Sequence, residues 1–241
     1  MKNLLILGDS LSCPRPWEGV GGFDTYAYIT QRLLQNRIYV QNLAYSDRCT
    51  ADYLTESFIK TYIKSANASY IVMQLGIVDC APRLLTTFER AIGFLARKLT
   101  ITRSLFSVYI RWKSKHRLFF TKWFPLTRVD LIDYEINVRN LIKVTSEYNS
   151  LETFYIVNIA YPGEFLASRS YGILENITRY NQVLYEIAKE SHFNLGKIEI
   201  IDLFSATKLN RNWVTSEDGH HITSEAHLWI AEQILCTIKN I

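Results

Sequence analysis

Five short apolar runs, separated by longer stretches of helical period, limit what these 241 residues can fold into. The runs are Leu4–Leu7, Ile38–Leu43, Tyr70–Leu75, Phe154–Ile159 and Ile198–Ile201. Their length and their wealth of Ile, Val and Tyr suit strands covered on both faces of a parallel sheet. Between them, Phe23–Leu34, Ala51–Ile63, Asp130–Tyr148, Ile173–Ala188 and Ser224–Ile238 carry apolar residues at helical spacing. In Ile173–Ala188, for example, Ile177, Tyr180, Leu184 and Ile187 share one face. Strand–helix alternation of this kind predicts an α/β sandwich with right-handed crossovers. With 48% hydrophobic residues there is apolar material for one sizeable core, so one domain spanning 1–241 is expected.

Several classes are set aside by what the chain lacks. No uncharged apolar stretch reaches the 18 residues of a membrane span. The run Leu4–Leu7 is too short for a signal-peptide core, so a cytoplasmic location is expected. Cys13, Cys49, Cys80 and Cys236 have no Cys-x-x-Cys spacing and no clustered histidines. They read as reduced, buried small residues, and no metal site or organic cofactor is expected.

The charge is unevenly distributed. Residues 97–129 hold nine Lys/Arg and no Asp or Glu, while the rest of the chain has eighteen basic against twenty-three acidic residues. A mildly acidic body thus carries a strongly basic insert. Counted as one helix over 103–123, the insert places Leu105, Val108, Tyr109, Trp112, His116, Phe119, Phe120 and Trp123 on one side. Arg103, Arg111, Arg117 and Lys122 fall opposite, with Lys113 and Lys115 on the flanks. The first reading of this amphipathic helix is a lid or extra helix packed on the domain. The others are a helix lying on a membrane surface near anionic lipid or a lipid-linked glycan, and a groove for a partner or second copy. The acidic body and the lack of a binding motif argue against nucleic acid. An insert free of acidic residues also suits a polyanionic glycan.

Ligands of open α/β sheets bind beyond the carboxyl ends of the strands. The segments to inspect are therefore Gly8-Asp9-Ser10, Ala44-Tyr45-Ser46-Asp47, Gly76-Ile77-Val78-Asp79 and Tyr161-Pro162-Gly163. Ser10 follows a strand and a glycine that permits a sharp turn. Its hydroxyl needs a base to become a nucleophile. Of five histidines, His116 lies in the insert, His192 at a helix end and His227 inside a helix, which suits a structural role. Asp218 and His221 stand three apart in a glycine-containing turn. That spacing lets the carboxylate hold one imidazole nitrogen while the other faces a substrate. His220 is a rival base, only two residues from Asp218.

Gly8-Asp9-Ser10-Leu11 and Asp218-Gly-His-His221-Ile-Thr-Ser-Glu-Ala-His resemble the first and last blocks of the GDSL/SGNH hydrolases. Asn42-Leu-Ala-Tyr-Ser46-Asp47 is similar to their second block and Gln74-Leu-Gly76-Ile-Val78-Asp79 to their third. The blocks span nearly the whole chain in the family's order. This version of them looks like hydrolases associated with bacterial surface-polysaccharide synthesis. The resemblance implies a Ser10–His221–Asp218 triad and an oxyanion hole built from the backbone amides of Ser10 and Asp47. Two positions depart from the pattern. Asp47 stands where the family usually has glycine, and Val78 where it has an asparagine that donates to the oxyanion. Loss of one such donor costs about 10²–10³ in rate. Arg83 or Asn42 is the candidate replacement. Asp9, Arg15, Trp17, Gly76 and Arg83 are the expected substrate-binding residues.

The expected fold is a three-layer α/β/α sandwich, flavodoxin-like, with five parallel strands in the order 2-1-3-4-5. The expected reaction is hydrolysis of a small acyl ester, foremost an O-acetyl group on a carbohydrate. An O-acyltransferase using the same triad is one alternative. A non-catalytic carbohydrate-binding protein, suggested by Val78, is the other.

Overall fold

The computed structural model describes residues 2–35, 37–96, 100–149, 151–190 and 196–238. Arg97 and Lys98 of the basic insert, and His192, lie outside the described residues. Five strands form one parallel sheet: β1 (Lys2–Gly8), β2 (Ile38–Asn42), β3 (Tyr70–Gln74), β4 (Thr153–Val157) and β5 (Lys197–Ile201). Their order is β2-β1-β3-β4-β5, as expected. Each of the five apolar runs supplies one strand.

Central strands bury the most. Leu4–Gly8, all of β3 and all of β4 are buried. Burying one such aliphatic side chain is worth about 1.5–3 kcal/mol. The chain steps from β1 to β2 on one side and then crosses back to β3. With right-handed crossovers this reversal distributes helices over both faces. The packing agrees. Helix α1 (Tyr26–Leu33) rests on the last helix, Ser224–Ile238, whereas Leu131–Tyr148 rests on Ile173–Lys189. The reversal also opens a crevice between the ends of β1 and β3, where Gly8 lies level with Gln74.

Three expectations need correction. Residues 51–63 do not form one helix: a 3₁₀ stretch, Thr50–Leu54, is followed by one α turn and a π segment, Ile59–Ile63. The cysteines are unpaired, but Cys236 is exposed and Cys13 half-buried; only Cys49 and Cys80 are in the core.

The insert is not one helix either. It contains two helices, Thr100–Lys115 and Arg117–Trp123, broken at His116 (φ −103°, ψ 24°), and another helix, Thr87–Ala96, precedes it. Much of the aromatic stripe is exposed, at Leu105, Val108, Trp112, Phe119 and Trp123, whereas Tyr109 and Phe120 are half-buried. Lys113 turns inward instead and is 7% exposed. Its ammonium donates to Leu84 O at 3.0 Å and pairs with Glu89, which also accepts from the Tyr109 hydroxyl. This polar anchor selects the inner face, because a buried ammonium must be paired. An antiparallel bridge joins Arg83 to Leu126, so the insert leaves and re-enters the body at one point. Among the described residues, no helix is long and apolar enough to cross a membrane.

Candidate active site

The end of β1 positions the serine. After Gly8 the chain enters a 3₁₀ turn, Ser10–Ser12, capped by Asp9, whose carboxylate accepts from Leu11 N at 2.9 Å. A cap of this kind satisfies an amide that the turn leaves free. Asp9 is 1% exposed, and burial pushes its carboxyl up to about 8 despite that hydrogen bond. It therefore shapes the turn and does not line the cleft, contrary to the substrate-contact role expected for it.

The histidine comes from the turn before the last helix. Gly219 there has φ +76°, and a Cβ at this position would lie 2.7 Å from the amide nitrogen of Leu166. Gly163 N donates to Gly219 O at 2.8 Å, and Thr215 N to His221 O at 2.8 Å, so the turn is held from both sides. Within it, Asp218 Oδ1 accepts from the amides of His220 (3.0 Å) and His221 (3.1 Å) and from Thr215 Oγ1 (3.1 Å). Asp218 Oδ2 meets His221 Nδ1. Partial burial works against the Asp218 charge, but these hydrogen bonds outweigh it and hold the carboxyl below its ordinary range. With a carboxylate against Nδ1, the imidazole carries its proton there and leaves Nε2 as an acceptor. Nε2 lies 2.8 Å from Ser10 Oγ. Residues 211 positions apart in the chain thus complete a Ser–His–Asp relay, with Ser10 and His221 both buried.

No protein-family model matches the chain, and no curated protein matches it by sequence. Solved structures do match over its whole length. A lipase/acylhydrolase from Enterococcus faecalis superposes with a TM-score of 0.65 at 13% identity, covering 100% of this chain and 96% of the other. Axe2, an acetylxylan esterase from Geobacillus stearothermophilus, gives 0.62 at 17% identity over 98% and 94%. The acetyl xylan esterase AlAXEase gives 0.61 at 12% identity over 98% and 99%. The fold is SGNH hydrolase-like. Two solved variants of Axe2 described as catalytic mutants replace a serine and a histidine by alanine.

Against the SGNH pattern, the second and third blocks are instructive. A cleft of about 300 Å³ opens beside Ser10 and His221, and Ser46, Asp47, Ile77, Val78 and Arg83 help to line it. Asp47 has φ +60°, the left-handed region that explains the family's glycine. An aspartate is held there by Arg128, which donates to its carbonyl oxygen at 2.6 Å and pairs with its carboxylate at 3.1 Å. Gly76 has φ +137°, and a Cβ there would lie within 2.9 Å of Ile159 and the Tyr134 hydroxyl. Its role is to turn the chain so that Ile77 and Val78 reach the cleft. Val78 presents only hydrocarbon. Asn42 is committed elsewhere, donating to Ser12 O at 3.1 Å and accepting from Ala44 N at 3.0 Å, and it does not line the cleft.

Arg15 lines the cleft, but its guanidinium is bound to Glu18, with Nε–Oε2 at 2.8 Å. The pair backs the relay: Glu18 Oε2 is 3.7 Å from His221 Nδ1 and Arg15 Nη2 is 3.9 Å from Asp218. Trp17 is 68% exposed and outside the cleft. Sequence reasoning missed Glu18, Ala81, Arg117 and Leu166 as members or neighbours of this site, whereas His220, weighed as a rival base, lines the cleft beside His221. His220 lies against His221, with ring centroids 4.0 Å apart and the rings tilted by 41°. Burial and the neighbouring ring push it down to about 4, so it is neutral at physiological pH.

Asp218, His220 and His221 offer ligand atoms within 4.8 Å of one another, the one such grouping among the described residues. Both ring nitrogens of His221 are engaged by Asp218 and Ser10. A metal there would have to break the relay. His227, by contrast, is structural: its Nδ1 accepts from Tyr26 N at 3.2 Å, and burial pushes it down to about 3.

Proposed function

We propose that this chain is a serine ester hydrolase that removes small acyl groups, foremost O-acetyl groups from a carbohydrate. The observation that carries the reading is the 2.8 Å contact between Ser10 Oγ and His221 Nε2, with Asp218 on the other ring nitrogen. Ser10 Oγ attacks the ester carbonyl while His221 takes its proton. The imidazolium, stabilised by Asp218, then protonates the leaving alcohol. Water then attacks the acyl carbon while His221 takes one of its protons, and His221 hands that proton to Ser10 Oγ as the acyl–oxygen bond breaks, releasing the acid and free Ser10. The amides of Ser10 and Asp47 hold the oxyanion in this scheme, with Val78 contributing no third donor. Support for acetyl comes from the small cleft and from neighbours named acetylxylan esterases.

The test is p-nitrophenyl acetate hydrolysis by the wild type beside Ser10→Ala and His221→Ala. Both variants should lose at least about 10³-fold in kcat. Equal rates in all three proteins would refute the triad. Acetate release from peracetylated monosaccharides, unaffected by an added sugar acceptor, then separates hydrolysis from transfer.

A further inference from the structure

The wall of the cleft opposite in character to Val78 is cationic. Arg83 and Arg117 both line it, one from the loop after the third block and one from the insert. Arg117 has no carboxylate partner among the described residues, and Arg83 has only a long ion pair to Asp47, whose carboxylate lies closer to Arg128. Arg117 donates from Nε to Ser170 Oγ at 2.9 Å and from Nη2 to Pro82 O at 2.8 Å. Arg83 donates from Nη2 to Val78 O at 2.6 Å, and its nearest carboxylate oxygen, on Asp47, is 3.7 Å away. Its Nε is buried and has no hydrogen-bond partner. Burial disfavours the charge on both side chains, and Arg169 and Arg83 add like charge beside Arg117. A guanidinium does not deprotonate in response.

Half-buried cations held mainly by neutral acceptors, with donors left over, are costly unless an anion arrives. Guanidinium forks match the oxygens of carboxylates and phosphates. Resting on the esterase reading above, we infer that Arg83 and Arg117 form a subsite for an anionic substituent of the substrate, so that the ester hydrolysed is carried by an acidic sugar. The anion is a uronate carboxylate or a sugar phosphate, either of which offers a guanidinium fork a pair of charged oxygens. The insert thereby supplies specificity, because Arg117 belongs to it.

The experiment compares kcat/KM for three probes: an O-acetylated methyl galactoside, the corresponding acetylated galacturonoside and acetylated galactose 6-phosphate. Wild type and the variants Arg117→Gln and Arg83→Gln are assayed. The wild type should prefer at least one acidic probe tenfold or more over the neutral one, and that ratio should shrink towards one in each variant. Which acidic probe leads tells carboxylate from phosphate. A wild type with no preference overturns the subsite. Equal losses by Arg83→Gln on charged and neutral probes also overturn it, and place Arg83 at the oxyanion instead. Should the wild type hydrolyse none of the probes, the esterase reading has failed. The subsite is then judged by calorimetric titration of galacturonate and galactose 6-phosphate into wild type and Arg117→Gln. Binding lost in the variant upholds it, and equal or absent binding ends it.

Discussion

Asp218 faces more donors than a lone carboxylate usually meets, and each of its oxygens has a separate task. Oδ1 gathers two amides and a hydroxyl and so fixes the carboxylate plane; Oδ2 is left for His221 Nδ1. Asp218→Asn keeps the first task and reverses the second. An amide NH₂ facing Nδ1 favours the tautomer protonated on Nε2, which cannot accept the Ser10 proton. The expected result is a fall of about 10⁴-fold in kcat on p-nitrophenyl acetate with little change in KM. A variant that kept more than a tenth of the wild-type rate would remove Asp218 from the mechanism and turn attention to Glu18, 3.7 Å from the same nitrogen. Asp47 makes the complementary case. Its proposed contribution is an amide, and its side chain serves to bind Arg128. Asp47→Gly should relieve the left-handed strain while losing that pair, leaving stability within about 1 kcal/mol and the esterase rate within a few-fold. A collapse of activity with stability intact would show that the carboxylate itself takes part.

The elements that bring these residues together differ in how far the sequence reveals them. The turn carrying Asp218 and His221 packs against the start of Glu164–Arg169, with Gly219 at the contact. Gly219→Ala combines a positive φ with a 2.7 Å approach to the Leu166 backbone. It should destabilise the fold by about 1–3 kcal/mol and lower esterase activity beyond what unfolding explains. Urea midpoints and active-site titration would check the two effects separately; an unaltered variant would mean that the turn can move without disturbing His221. The strands, and the meeting of Ser10 with His221 and Asp218, were legible because apolar runs and short blocks near the two ends of the chain carry them. The inward face of the insert was not. Trp112 and Phe119 looked like core by periodicity, yet Lys113 and Arg117 turn inward because Glu89, Leu84, Pro82 and Ser170 await them. Those acceptors come from segments distant in sequence, so no helical count can find them. Arg117 and Leu166 were missed as cleft residues for the same reason, and Asn42 was credited with a free amide that its own loop consumes.

At the scale of the molecule, building a site over the end of a fully buried strand places titratable groups where water cannot reach, and global stability must then depend on pH. Asp9 prefers its neutral form up to about 8, against 3.8 when exposed, through burial and, secondarily, the nearby charge of Asp79. Between those values the folded chain keeps a proton that the unfolded chain has released, so this group costs stability as pH rises through the window. His227 works in the other direction. Pushed down to about 3 from 6.5, it stays neutral when folded while the unfolded chain takes up a proton, so its contribution falls as pH drops below 6.5. Asp9→Asn separates the two. Asparagine can still cap the Ser10–Ser12 turn through its carbonyl oxygen and has no charge to bury. The variant should match the wild type near pH 4 and gain on it by up to about 1.4 kcal/mol per pH unit towards pH 8, then level off. Unfolding free energies in urea at several pH values measure this directly. A difference that stayed flat from pH 4 to pH 9 would mean that Asp9 ionises normally in the folded protein, with water or a cation reaching the floor of the cleft beneath Ser10.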